Sequence, residues 1–134
     1  MTIAHQNTRP RLTGVLTQWL EMWNGDLDLI SDLVHPEFRI WFGTSPGVGQ
    51  AIESPASFHD FVTTYRSELP DARFVPGEAT VDETAGRGAL VWTVTLTLPN
   101  TELPTELGGV DQLSFVDGRI RRVWSITGSE ARPF

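Results

Sequence analysis

The spacing of apolar residues changes character along this chain, and that change limits the folds open to it. Up to Leu69 they recur mostly at helical spacing, whereas from Arg73 onward they mostly alternate. From Pro10, the residues Leu12, Val15, Leu16, Trp19, Leu20, Met22 and Trp23 form one stripe of an amphipathic helix that Asn24-Gly25 stops. Asp26 is placed to cap a second, shorter helix through Leu29, Ile30, Leu33 and Val34, ending before Pro36. A third helix has Ser54 as N-cap, Pro55 at its first position and the stripe Phe58, Phe61, Val62, Tyr65 and Leu69, with Pro70-Asp71 as its stop. Between the second and third helices lie a short strand, Phe38 to Phe42, and a glycine-rich stretch, Gly43 to Glu53, that reads as a loop or lid.

The remaining chain reads as strands at Arg73 to Asp82, Ala89 to Leu98, Gly109 to Val116 and Arg119 to about Thr127. Glu83 to Gly88 reads as a turn, Asn100 to Gly109 as a polar connector and Asp117-Gly118 as a hairpin turn. Helices followed by an antiparallel meander make an α+β fold. A curved sheet wrapped around the N-terminal helices would enclose a conical pocket. Alternation turns Phe38, Ile40, Phe42, Trp92, Val94, Leu96, Leu98, Asp111, Leu113 and Phe115 inward. That set describes a small-molecule pocket and a plain core equally well.

Residues 1–9 are polar and irregular and read as a flexible N-terminal arm; residues 10–134 read as a single domain. The chain is 40% hydrophobic and 20% charged, as in an ordinary soluble protein. It shows no signal-peptide layout and no membrane-length apolar run, so a cytoplasmic location is the default expectation. There is no cysteine, and all ten basic residues are arginine, which excludes thiolate and lysine Schiff-base catalysis. A net charge of −7 argues against a nucleic-acid partner. His5, His35 and His59 have no metal-ligand spacing, so neither metal nor cofactor is expected.

Asp111 is the candidate for chemistry. It shares the apolar face of its strand with Leu113 and Phe115, where lost hydration favours the protonated carboxyl. Such a position suits a proton donor or acceptor, although a wet or arginine-paired strand-end aspartate would look the same in sequence. Gln18, beside Val15 and Met22, could reach a ligand carbonyl or stand exposed. His59 could serve as acid, base or donor, or lie on the surface; His35 reads as structural. Trp92, placed inward, would form an aromatic wall for a flat ligand, whereas Trp19 and Trp23 read as core. Trp41 and Trp124 lie on strands carrying Arg39, Arg121 and Arg122 and suit a dimer interface.

Several landmarks fall in a familiar order: Trp23-Asn24-Gly25-Asp26-Leu27-Asp28, Pro36-Glu37-Phe38, Pro70-Asp71, Trp92-Thr93, and Gly109-Val110-Asp111 through Asp117-Gly118-Arg119-Ile120 to Trp124-Ser125. Over about residues 10 to 127 the chain resembles the SnoaL-like polyketide cyclases of the nuclear transport factor 2-like superfamily. The resemblance implies a cone-shaped α+β barrel that pairs as a homodimer through its sheet. It also implies that Asp111 is the general acid/base, at the position where ketosteroid isomerases hold a protonated aspartic acid. Phe42, Gln18 and Leu98 depart from the pattern, standing respectively where relatives carry a general base, an oxyanion-hole tyrosine and a histidine. The aspartate–arginine–aspartate set of limonene epoxide hydrolases is not evident.

The expected function is therefore cofactor-independent acid/base catalysis on a hydrophobic, polyketide- or terpenoid-like molecule of secondary metabolism. Cyclisation, isomerisation, dehydration and epoxide opening all remain open. The expected site is Asp111 for catalysis, with Gln18, Phe42, His59, Trp92, Leu98, Leu113 and Phe115 around the substrate. The alternatives are a non-catalytic binding module and an assembly subunit of the same fold.

Overall fold

The computed structural model describes residues 12–134, so the arm expected for residues 1–9 lies outside the described residues. Helix α1 (Leu12–Trp23) buries all seven apolar residues of its stripe. At its end the Asn24 side chain pairs with the backbone N–H and C=O of Phe74, which ties the turn to the sheet. Next come a 3-10 turn (Leu27–Leu29) and a short α2 (Ile30–Leu33). Asp26 occupies the N-cap position of that turn, but its side chain makes no capping bond. Helix α3 (Pro55–Glu68) starts with Pro55 behind a Ser54 cap, and Ser54 and Ser57 reciprocally satisfy two backbone N–H groups. No helix among the described residues is long and apolar enough to cross a membrane.

Five strands, β1 (Val34–Phe42), β2 (Arg73–Asp82), β3 (Arg87–Leu96), β4 (Thr105–Val116) and β5 (Arg119–Thr127), form one curved, unclosed sheet. Its order is β1-β5-β4-β3-β2. The expected α+β architecture is correct in its layers, with two corrections. The sheet is not wholly antiparallel, because β1 joins the far edge parallel to β5. Strand β1 also begins at Val34, in place of the last turn of the second helix, and passes through Pro36; an edge strand tolerates the missing N–H. Register shifts interrupt β1, β2 near Pro76 and β5 opposite Ser114–Phe115, and such bulges bend a sheet. The concave face closes over α1 and α3 around one aromatic core, with Phe38 and Phe58 rings 4.6 Å apart.

Strand β4 begins four residues before Gly109, within what reads in sequence as a polar connector. Strand β3 ends at Leu96, so Leu98 falls in the loop before Pro99. Asp117 and Gly118 both adopt positive φ, 55° and 75°, and turn β4 into β5.

Candidate active site

Asp111 lies in the middle of β4, paired across the sheet with Leu90 on β3 and Ser125 on β5. It is only 4% exposed. The Trp19 indole N–H donates to Asp111 Oδ2 at 2.8 Å, whereas Oδ1 has no hydrogen-bond partner. Trp19 is itself fully buried, stacked on Phe58 and edge-on to Trp23, so its N–H is a rigid donor. Burial pushes the Asp111 carboxyl above the ordinary aspartate range; Ser125, Trp19 and Trp92 pull the other way without cancelling it.

A cavity of about 210 Å³ opens beside this carboxyl. The sheet contributes Phe42, Phe74, Trp92, Val94, Leu96, Leu107, Asp111, Ser125 and Thr127. Helices α1 and α3 contribute Leu20, Trp23, Phe61 and Tyr65, and the loop after β1 contributes Ser45 and Val48. The wall is thus aromatic and aliphatic, with a few hydroxyls and one carboxyl. Burial raises the Tyr65 hydroxyl to about 12, Arg66 opposing, so at neutral pH it is a hydrogen-bond donor and not a base. Among the described residues no other Asp, Glu or His lines this cavity, and no three His, Asp or Glu side chains gather where they could hold a metal ion.

The residues singled out in sequence divide into two groups. Asp111, Trp92 and Phe42 meet in the cavity, Phe42 stacked on Phe61 at 5.3 Å. The others do not reach it. Gln18 is exposed on the outer side of α1, one position before the buried Trp19. His59 is exposed on α3 beside Thr63 and Asp60. Leu98 is exposed because the strand has already ended. Leu113 and Phe115 are buried further along β4, in core that does not border the cavity.

Trp19, Tyr65, Ser125 and the loop residues were not singled out for the site. Ser125 could have been found, since alternation in the last strand turns it to the same face as Val123. Buried indoles usually find an acceptor, which is the available signal for Trp19.

A second hollow, of about 440 Å³, lies outside the sheet between β1, β5 and the loop after β1. Its wall includes Arg39, Trp41, Arg122 and Trp124 and no carboxylate, so the acid/base geometry belongs to the inner cavity.

Sequence and structure comparisons identify the family and the fold. The SnoaL-like domain profile matches residues 16–123. A proposed polyketide cyclase from Acidithiobacillus ferrooxidans superposes with a TM-score of 0.74 at 23% identity, over 87% of each chain. A SnoaL-like polyketide cyclase from Agrobacterium tumefaciens gives 0.71 at 20% identity, over 88% of this chain and 91% of that one. IdmH, a proposed polyketide cyclase from Streptomyces antibioticus, gives 0.74 at 18% identity, over 87% of this chain and 91% of that one. At such identities the superpositions show a shared fold. No curated protein sequence matches the chain.

Proposed function

This chain belongs to the SnoaL-like domain family, and on that premise we propose that it is a cofactor-independent acid/base enzyme. Its substrate is a hydrophobic small molecule of polyketide or terpenoid character, transformed by cyclisation, isomerisation, dehydration or epoxide opening. Asp111 transfers the proton. One observation carries this reading: a buried carboxyl on a cavity wall, fixed through Oδ2 by Trp19, with Oδ1 unpaired. The bound oxygen sets the orientation of the group, and the free one is available to exchange a proton with a ligand. At about 210 Å³ the cavity falls below the roughly 300–1,000 Å³ of common ligand sites, which favours a substrate of one or two rings over a polycycle.

Titration of the carboxyl carbons by NMR, with Asp111→Asn assigning the signal, tests this role. The expected pKa lies clearly above about 3.9, the value of a free aspartate. A value at or below that would remove the main support. Once a substrate is in hand, Asp111→Asn is expected to lower turnover roughly 10²–10⁴-fold, the usual worth of one acid/base group, with fold and ligand binding retained.

One observation favours a second reading, a non-catalytic binding module: Asp111 is alone, without a second carboxylate or imidazole on the wall. Tight binding with no product over long incubation would support it. A purely structural assembly subunit fits less well, because its cone would be filled by its own side chains. We also propose that a second copy of the chain covers the convex face of the sheet, where Trp41 and Trp124, register partners on β1 and β5, are 54% and 40% exposed.

A further inference from the structure

Three buried side-chain polar atoms among the described residues have no hydrogen-bond partner: Arg121 Nε, Asp111 Oδ1 and Trp92 Nε1. Arg121 pairs with Glu37 through Nη2, which leaves its Nε unpaired, but it does not border the inner cavity. The other two belong to the same cavity wall. Trp92 is 3% exposed, and its indole N–H, although near enough to Asp111 to lower that carboxyl's pKa, makes no hydrogen bond of ordinary geometry. A fold retains such a donor most readily where a ligand supplies the missing oxygen.

We propose that Trp92 Nε1 is a ligand-recognition group which, with the O–H of the neighbouring protonated Asp111 carboxyl, donates to a carbonyl oxygen, so that the ligand is a small ketone and not a hydrocarbon. This rests on the reading of the cavity as the substrate site and adds the functional group the substrate carries there.

The backbone beneath the indole supports the assignment. The cross-strand partner of Trp92 is Gly109, and a Cβ at that position would lie far inside contact distance of Cη2 and Cζ2 of the indole. Strand β4 therefore leaves its backbone bare where the ring lies, two residues from Asp111 on the same face. Phe74 packs against the indole at 5.3 Å and 67°, which restricts rotation of the ring. The N–H is thus held in place before any ligand arrives.

The experiment compares 1-indanone with indane, one bicycle with and without the carbonyl, titrated into the full chain and followed through the indole ¹H–¹⁵N signals. Loss of a signal in Trp92→Phe assigns Trp92. Indanone is expected to bind about tenfold more tightly than indane, the scale set by one unsatisfied buried donor. Its binding should shift the Trp92 N–H downfield, as indane should not. In Trp92→Phe the ratio of the two affinities should fall to about one, whatever packing both probes lose.

Equal affinity in the wild type, or a preference undiminished in Trp92→Phe, overturns the proposal and leaves the Asp111 titration untouched. Binding of neither probe overturns it together with the ligand-site reading. If Trp92→Phe does not fold, the wild-type affinity ratio and the downfield shift decide the matter.

Discussion

The contact between Trp19 and Asp111 couples core packing to site chemistry. An N–H bond to a carboxylate favours the ionised form, so Trp19 holds the Asp111 pKa lower than burial alone would set it. Trp19→Phe preserves most of the ring packing against Phe58 and Trp23 but removes the donor. The Asp111 pKa should rise further in this variant, and stability should fall by roughly 1–3 kcal/mol, the cost of a buried acceptor left unpaired. The sign of the pH dependence follows from the direction of the shift. A carboxyl whose folded pKa is raised supports the fold fully below its unfolded pKa, and that support is lost as pH rises through the folded value. The deficit of Trp19→Phe against wild type should therefore widen from acid toward neutral pH. Chemical denaturation at several pH values measures it, and a pH-independent gap would mean that the indole serves packing alone.

At the level of elements, what could be read in sequence depended on how local its cause was. The Ser54-Pro55 start of α3 and the Asp117-Gly118 turn are set by residues adjacent in the chain, and both form as their chemistry requires. The inward placement of Asp111 is equally local, since it needs only strand alternation. Parallel pairing of β1 with β5 is not local: it joins Ile40 to Val123, and no turn residue announces it. The exposure of Gln18 and His59 turns on how α1 and α3 rotate against the sheet, which short stretches of apolar spacing constrain only loosely. Gly109 reads in sequence only as the boundary between connector and strand, yet its role is set by a ring on the neighbouring strand. Gly109→Ala tests that role directly. The added methyl must displace the Trp92 indole, at a cost of roughly 1–3 kcal/mol for overpacking. The Trp92 N–H signal should move and any preference for indanone should weaken. Gly14→Ala, where an added Cβ meets nothing within 4 Å, is the control that leaves both unchanged.

For the molecule as a whole, the curved sheet divides two tasks between its faces. The concave face holds the carboxyl and the cavity, while the convex face leaves Trp41, Trp124, Ile126 and Val110 exposed across β1, β5 and β4. Exposed aromatic and β-branched residues on adjoining strands are costly in water unless something covers them. Arg39 and Arg122, register neighbours on the same face, make that surface locally basic on a chain of net charge −7. Two copies meeting there would set like charges together both locally and overall, so association must come from apolar burial. Such a dimer should tighten as salt screens the repulsion, whereas one held by ion pairs would loosen. Sedimentation equilibrium at low and high salt separates these cases. Trp124→Glu should yield a monomer whose Asp111 pKa is unchanged, because the substitution lies on the face opposite the cavity. A wild type that stays monomeric at high salt and high concentration would remove the second copy from this face. A Trp124→Glu monomer with a shifted Asp111 pKa would show instead that the two faces of the sheet are coupled.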